Sequence, residues 1–274
     1  MICSPGDQVI LMDQKSKKDF NLEDLDISSL DEDLHLDLER ADHFLGHLTR
    51  LELERLIHQS GLMRSIKRAG YQDLELGVEL LSPQDHRFWI QTVQGEKIYF
   101  IRLKARHYKM SGQLGARKLL SIDWVETRNI HSARAPGFPG QQKPGLGFAV
   151  MMAQKRMLAA LVAAIHADGG VTVPEYFHDA IMFKNIFHFR FVNPVKAALF
   201  ADLQDLMPAI RLRELSHAIH AGRVIDMVDN TVFQWSYGEM VLLNTEEDSQ
   251  LVFDADFVRL VATNRVPGRF QYVS

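Results

Sequence analysis

The spacing of apolar residues changes from a helical period to strict alternation near residue 70. Between Leu45 and Gly70, apolar residues recur approximately every three or four positions, which predicts that one amphipathic helix covers much of this span. Alternation over residues 74–80, 87–93 and 97–104 then predicts three consecutive antiparallel strands. The last two strands are separated by three residues that include a glycine, which is typical of a hairpin turn.

Further along, strand patterns and helix patterns follow one another. Residues 119–127 predict another strand, and a loop rich in proline and glycine follows at 133–140. A long apolar helix is expected from about 146 to 167, then a short strand at 170–173 and a short helix over 179–187. We therefore predict a mixed α/β (α+β) fold in which helices flank a mostly antiparallel central sheet.

The chain beyond residue 194 has a less regular pattern. Residues 208–221 predict a helix, residues 231–243 a strand or hairpin, and residues 253–263 a last helix. We interpret residues 195–274 as an extension of helices and strands that packs on a main domain formed by residues 45–194.

The N-terminal part of the chain is strongly acidic. Residues 19–42 contain ten acidic side chains and one basic side chain, Arg40. Like charges at this density disfavour compaction, so we expect residues 1–44 to form a solvated acidic arm. A docking arm for a basic partner is the alternative.

Composition narrows the class of protein. The formal net charge is −4, so nucleic-acid binding is not expected of the protein as a whole. A single cysteine, Cys3, excludes an internal disulfide and favours a reducing, cytoplasmic location. Residues 148–165 carry three polar side chains midway, so no membrane span is expected there, and the N-terminus has no signal-peptide pattern. Twelve histidines form no metal-ligand motif, so no metal is expected.

The most specific motif lies directly before the long apolar helix. Residues 142–147 read Gln-Lys-Pro-Gly-Leu-Gly, a Q-x-x-G-x-G loop. Glycines allow the backbone to approach a ligand closely, and the start of a helix offers unpaired amides and a positive dipole end. This loop therefore predicts a binding site for a phosphate group.

Residues 119–192 resemble the GNAT superfamily of acyl-CoA N-acyltransferases, over about a quarter of the chain. In that family an R/Q-x-x-G-x-G/A loop binds the coenzyme A pyrophosphate, and Gln142, Gly145 and Gly147 occupy its three defining positions. The family continues with a strand and an N-A-x-x-x-Y-x-x-x-G-F helix, and residues 179–189 align with that helix without a gap.

Three positions depart from the family pattern. Asp179 replaces the asparagine and keeps a capping oxygen. His188 replaces the glycine, which argues against a left-handed backbone there. Lys184 replaces the tyrosine that often protonates the leaving thiolate, so the resemblance leaves Lys184 or the nearby Tyr176 as the proton donor.

In the family, a carboxylate on the strand before the glycine loop often acts as general base. Glu126 is the candidate, with Asp123 as second choice. Strand parity predicts that Trp124 and Glu126 share one face and that Asp123 and Val125 share the other. An ordinary ion-paired strand residue is the alternative interpretation of Glu126.

The resemblance implies a GNAT-like architecture and transfer of an acetyl or other acyl group from acyl-CoA to an unknown amine. The implied catalytic residues are Glu126, Tyr176 and Lys184. Residues implied in coenzyme binding are Trp124, Val125, Gln142, Lys143, Gly145, Leu146, Gly147, Phe148 and Asp179. Trp124 and Val125 would pair with the pantetheine arm through their backbone.

Two other functions share this fold. One is a catalytically silent binding module, which the substitutions at 184 and 188 favour. The other is a synthase of long-chain N-acyl amino acids or acyl lactones that uses an acyl carrier protein. A basic stripe at Arg102, Lys104 and Arg106 could meet a coenzyme phosphate, a carrier protein or RNA, or simply protect an edge strand. A homo-oligomer is compatible with each alternative.

Overall fold

A computed structural model of the protein describes residues 42–82, 84–110 and 114–273. Cys3 and nearly all of the predicted acidic arm lie outside these residues. Two short helices, α1 (Arg50–Gln59) and α2 (Leu62–Arg68), occupy the span for which one helix was expected. That expectation was wrong because Gly61 adopts a left-handed φ of +80°, which ends α1 and redirects the chain.

Four antiparallel strands follow, as the alternation of apolar residues predicted. They are β1 (Leu74–Ser82), β2 (Asp85–Thr92), β3 (Lys97–Lys109) and β4 (Ala116–Thr127). Each pairs with the next along the chain. Every second residue of β2 is buried, so one face of this part of the sheet packs on the core.

The long helix α3 (Phe148–Ala164) leads to β5 (Gly169–Thr172), α4 (Phe177–Met182) and a π-helical turn (Phe183–Phe187). The chain continues through β6 (Arg190–Phe191), α5 (Pro194–Gln204), α6 (Leu212–His220), β7 (Val224–Asp226) and β8 (Thr231–Val232). The last elements are β9 (Met240–Leu243), α7 (Glu246–Val252), α8 (Ala255–Asn264) and β10 (Phe270–Tyr272).

In the described part of the chain, the main sheet has seven strands in the order β1-β2-β3-β4-β5-β9-β6, of which only β4 and β5 run parallel. A smaller sheet has the order β10-β7-β8. The protein is therefore a mixed α/β fold with a mostly antiparallel sheet flanked by helices, as predicted.

The C-terminal region supplies a strand to the main sheet, because β9 lies between β5 and β6. The alternative of a hairpin over residues 231–243 was wrong, since β8 and β9 belong to different sheets. The segment between them is anchored by Trp235, whose indole Nε1 donates a hydrogen bond to the carbonyl of Pro174, 3.2 Å away.

Candidate functional site

The parallel strand β5 is much shorter than its neighbour β4 and ends partway along it. Residues 119–122 of β4 pair with residues 169–172 of β5. Beyond this point β5 has ended and is followed by Pro174, whereas β4 continues to Thr127. On the β5 side, residues 123–127 therefore have no strand partner among the described residues. We call this position, where β4 continues past the end of β5, the wedge.

A β-bulge in β4 lies where the wedge begins. Arg102 of β3 pairs with Trp124, but the next residue of β3, Leu103, pairs with Ile122, which leaves Asp123 as an extra residue in β4. A bulge of this kind bends the strand and increases its local twist. The bulge directly follows Ile122, the last residue of β4 that pairs with β5.

The bulge also changes which side chains share a face. The carboxylate of Asp123 lies 2.5 Å from Lys104 Nζ and accepts a 2.6 Å hydrogen bond from the Ser121 hydroxyl, whereas Val125 packs on the main core. The prediction that Asp123 shares a face with Val125 was wrong, because the extra residue reverses the parity. Asp123 lies instead on the same face as Trp124 and Glu126.

Glu126 forms a two-point ion pair on its own strand face. Its carboxylate accepts hydrogen bonds from Nε and Nη2 of Arg128 at 2.5 and 2.9 Å. This pairing holds the carboxylate in one orientation, and it agrees with the alternative interpretation of Glu126 as an ion-paired residue.

The glycine loop is fastened to the end of β4. The amide of Leu146 donates to Thr127 Oγ1 at 3.3 Å, and a Cβ added to Gly145 would lie 3.0 Å from the same oxygen. Gly147 has φ +92° and ψ 178°, a region that only glycine adopts readily. Both glycines are therefore needed by the loop conformation itself, through close approach at 145 and through positive φ at 147.

The start of α3 is accessible to a ligand. Gly147 and Phe148 are exposed, and 65% of the surface of Phe148 is accessible, while Leu146 and Val150 anchor the helix in the core. Gln142 and Lys143 are exposed beside it. No described residue accepts a hydrogen bond from the amides of Gly145 or Gly147. These amides, at the positive end of a 17-residue helix, are suited to binding an anion.

Tyr176 packs against the loop that leads to the glycine motif. Its ring fills the space beside Gly140, where an added Cβ would lie 2.6 Å from the ring. Burial and the neighbouring Glu175 raise the pKa of the Tyr176 hydroxyl, so the group is protonated at neutral pH. The same loop stacks Phe138 on His178 at 4.4 Å between ring centroids.

Asp179 and His178 are held within the fold. Asp179 accepts a hydrogen bond from the amide of Tyr176 at 3.3 Å, so it supplies the capping oxygen expected of it. Burial raises the pKa of Asp179 to about 7. Burial, with a contribution from His217, lowers the pKa of His178 to about 4, and its Nδ1 lies 2.9 Å from Ser216 Oγ.

Lys184 is directed toward α5. Its Nζ donates to Gln204 Oε1 at 2.6 Å and lies 5.4 Å from the centre of the Phe200 ring. Burial and the nearby Arg265 lower the pKa of Lys184. The structure therefore gives Lys184 a packing role and does not bring it into contact with Glu126 or the glycine loop.

His188 has a φ of +67° and ψ of 24°, which is the left-handed conformation. The expectation that histidine at this position excludes a left-handed backbone was wrong. The amide of Phe189 closes the turn by donating to the carbonyl of Phe183 at 3.1 Å. Histidine tolerates this conformation better than most residues other than glycine.

The basic stripe on β3 is partly neutralised. Asp85 accepts two hydrogen bonds from Arg102 at 3.0 and 2.6 Å and lies 3.7 Å from Lys104 Nζ. Because β3 lies between β2 and β4, it is not an edge strand, and that interpretation of the stripe was wrong.

A depression of about 200 Å³ lies on the Glu126 face of β3 and β4. Three of the side chains that line it, Lys97, Phe100 and Arg128, are not among the predicted site residues. The alternation of side chains along the strands could have pointed to them. Arg128 follows Glu126 by two residues and so shares its face, and Phe100 is the cross-strand partner of Glu126.

Neither the models of known protein families nor the curated proteins match this chain. In the described part of the chain, no helix is both long enough and apolar enough to cross a membrane. The same residues contain no group of three side chains arranged to bind a metal ion.

Proposed function

We propose that this protein is an acyl-CoA-dependent N-acyltransferase with a GNAT-like architecture. The observation that carries the proposal is the end of β5 at Thr172, which leaves residues 123–127 of β4 without a strand partner on that side in the described part of the chain, beside the exposed start of α3. Such a wedge offers unpaired strand backbone to an extended, amide-containing chain, and the helix start offers amides to a phosphate. Coenzyme A contains both groups, joined at one end.

The coenzyme would lie with its pyrophosphate against the amides of Gly145 and Gly147. Gln142 and Lys143 are exposed beside these amides and would add a hydrogen bond and a positive charge. The exposed ring of Phe148 would cover part of the nucleotide. The pantetheine arm would then extend into the wedge, along the backbone of Trp124 and Val125.

The reaction begins with loss of a proton from the acceptor ammonium to Glu126. The amine nitrogen attacks the thioester carbonyl carbon, a C–N bond forms, the C–S bond breaks, and the thiolate leaves with the electron pair, while the nitrogen gives up its second proton, which replaces the one donated to the thiolate. A proton donor then neutralises the thiolate. Tyr176 is a stronger candidate than Lys184, because it closely follows β5 and its hydroxyl is protonated at neutral pH, whereas Lys184 is held by Gln204.

A silent binding module is the rival function, and one observation favours it. Arg128 donates one hydrogen bond to each oxygen of Glu126, so this carboxylate is already engaged in an ion pair, as that of a purely structural strand residue would be. In a module that only binds coenzyme A or a partner, this ion pair would remain intact.

Thioester-dependent release of free thiol separates the two functions. Acetyl-CoA and hexadecanoyl-CoA are each supplied with a panel of primary amines that includes amino acids, and the acylated product is identified by mass spectrometry. Glu126→Gln should lower turnover by about a hundredfold or more. Glu96→Gln, on the exposed β2–β3 turn, is the matched control and should retain wild-type turnover. Saturable coenzyme binding without any acylated amine would favour the silent module.

A further inference from the structure

The depression beside Glu126 is lined by positively and negatively charged side chains and by two aromatic rings. We propose that it binds an acceptor that is a zwitterion, namely an α-amino acid with an apolar side chain. This inference rests on the proposed function for the fate of the ammonium group, but the binding site itself can be tested without acyl transfer.

The contributing side chains lie on one face of two neighbouring strands. Phe100 of β3 pairs directly with Glu126 of β4, and Arg102 pairs with Trp124 two residues further along, on the same face. Ile101 and Val125 point to the opposite, core-facing side. Lys97, Phe100, Trp124, Glu126 and Arg128 therefore line a single depression that is open to solvent.

The charges of this depression do not balance. Glu126 is neutralised by Arg128, which uses Nε and Nη2 for the ion pair. Lys97 forms no salt bridge with any described acidic residue, and its Nζ lies 4.2 Å from the centre of the Trp89 ring and 5.7 Å from that of Phe100. The depression thus carries two cations and one carboxylate.

This excess of positive charge selects among amines. A simple alkylammonium would meet Glu126 but would be repelled by Lys97 and Arg128. In an α-amino acid the ammonium and the carboxylate are attached to the same carbon. The carboxylate could therefore contact the cations while the ammonium contacts Glu126. The requirement for an anionic group on the acceptor follows from this charge arrangement.

The apolar walls favour an apolar side chain on the ligand. Trp124 leaves 50% of its surface exposed, and Phe100 is half-buried beside it. A volume of about 200 Å³ accommodates a single amino-acid side chain of moderate size. Covering exposed aromatic surface stabilises the bound state through hydrophobic contact.

Calorimetric titration with matched ligands tests the site directly. The probes are L-phenylalanine, its decarboxylated analogue phenethylamine and its deaminated analogue 3-phenylpropionate, with L-leucine and isoamylamine as a second pair. At least one of the amino acids should bind about tenfold more tightly than the analogues that lack one charged group. Equal or tighter binding of the amines, or no binding of either amino acid at millimolar concentration, would overturn the inference.

Variants identify the charges responsible. Lys97→Gln should weaken binding of the preferred amino acid by about fivefold or more and should leave its decarboxylated amine bound at least as tightly as before, because a repelling cation is removed. Lys67→Gln, on the exposed surface of α2, is the matched control and should change neither. A Lys97 variant that binds the amino acid as tightly as the wild type would contradict the assigned role of this cation.

The experiments distinguish failure of the amino-acid site from failure of the proposed transferase function. Amino-acid binding without coenzyme A binding or acyl transfer would refute the transferase and leave the zwitterion site in place. Acyl transfer to phenethylamine or isoamylamine as efficient as transfer to the matching amino acid would refute the zwitterion site and leave the transferase in place.

Discussion

The hydroxyl oxygen of Thr127, the last residue of β4, accepts a hydrogen bond from the backbone amide of Leu146 in the glycine loop, 3.3 Å away. This contact joins the open strand of the wedge to the loop that begins α3. It therefore fixes the position of the proposed pyrophosphate site relative to the proposed pantetheine site.

Removing this acceptor should weaken coenzyme binding. In Thr127→Val the Leu146 amide loses its partner at nearly constant side-chain volume, which should lower the free energy of unfolding by about 1 kcal/mol and weaken coenzyme A binding severalfold. Thr127→Ser keeps the oxygen and is the control. Chemical denaturation and calorimetry measure the two effects, and equal coenzyme affinity in both variants would contradict the positioning role.

Any side chain introduced at position 147 should destabilise the fold. Its φ of +92° with ψ of 178° is strained for other residues, so Gly147→Ala should lower the free energy of unfolding by about 1 to 3 kcal/mol. Gly137→Ala is the control, because Gly137 lacks a positive φ and an added Cβ would approach no atom more closely than 3.7 Å. Equal effects of the two substitutions in chemical denaturation would show that the backbone at 147 is not constrained.

Glycine at position 188 should stabilise the fold. His188 is exposed and has a left-handed backbone, so His188→Gly removes strain and little packing, and the free energy of unfolding should rise by about 0.5 to 1 kcal/mol. His58→Gly, in the last turn of α1, should instead lower it by a similar amount. A decrease in stability on introducing glycine at 188 would contradict the assigned conformation.

The neighbours His178 and Asp179 should have opposing effects on the pH dependence of stability. The folded-state pKa of Asp179 is raised from 3.8 to about 7, so its stabilising contribution is complete below pH 4 and is lost as pH rises to 7. The folded-state pKa of His178 is lowered from 6.5 to about 4, so its contribution is present above pH 6.5 and is lost as pH falls to 4. The two effects largely cancel in the wild type.

Single substitutions should reveal each effect. Asp179→Asn leaves His178 buried without the carboxylate that lies 3.3 Å from its Nε2, so stability should increase from pH 4 to 6.5. His178→Asn leaves Asp179, so stability should decrease over the same interval. Denaturant titrations at a series of pH values measure both slopes. If both variants follow the wild-type curve, the two groups do not titrate as their burial requires.

The sequence predicted the elements that depend on local pattern. Alternation located β1 to β4 and their antiparallel order, and the glycine motif located the start of α3 to within a few residues. These features depend on which residues face the core and on where glycine is needed, and both are visible within a short window of sequence.

Other features depend on contacts between distant residues. The bulge at Asp123 is defined only by the register with β3, so parity along β4 alone placed this carboxylate on the wrong face. The insertion of β9 between β5 and β6 joins segments far apart in sequence. The pairing of Lys184 with Gln204, which removes this lysine from the proposed chemistry, could not be read from the family pattern either.

In the proposed complex, the start of α3 binds the pyrophosphate of coenzyme A and the wedge beside β4 holds the pantetheine arm. Calorimetric titration of the wild-type protein with coenzyme A and with pantetheine, which lacks the pyrophosphate, tests it most directly. We predict saturable binding of coenzyme A and binding of pantetheine weaker by about a hundredfold or more, since the charged hydrogen bonds at the helix start are lost. No detectable binding of coenzyme A at millimolar concentration, or equal affinity for the two ligands, would contradict the claim.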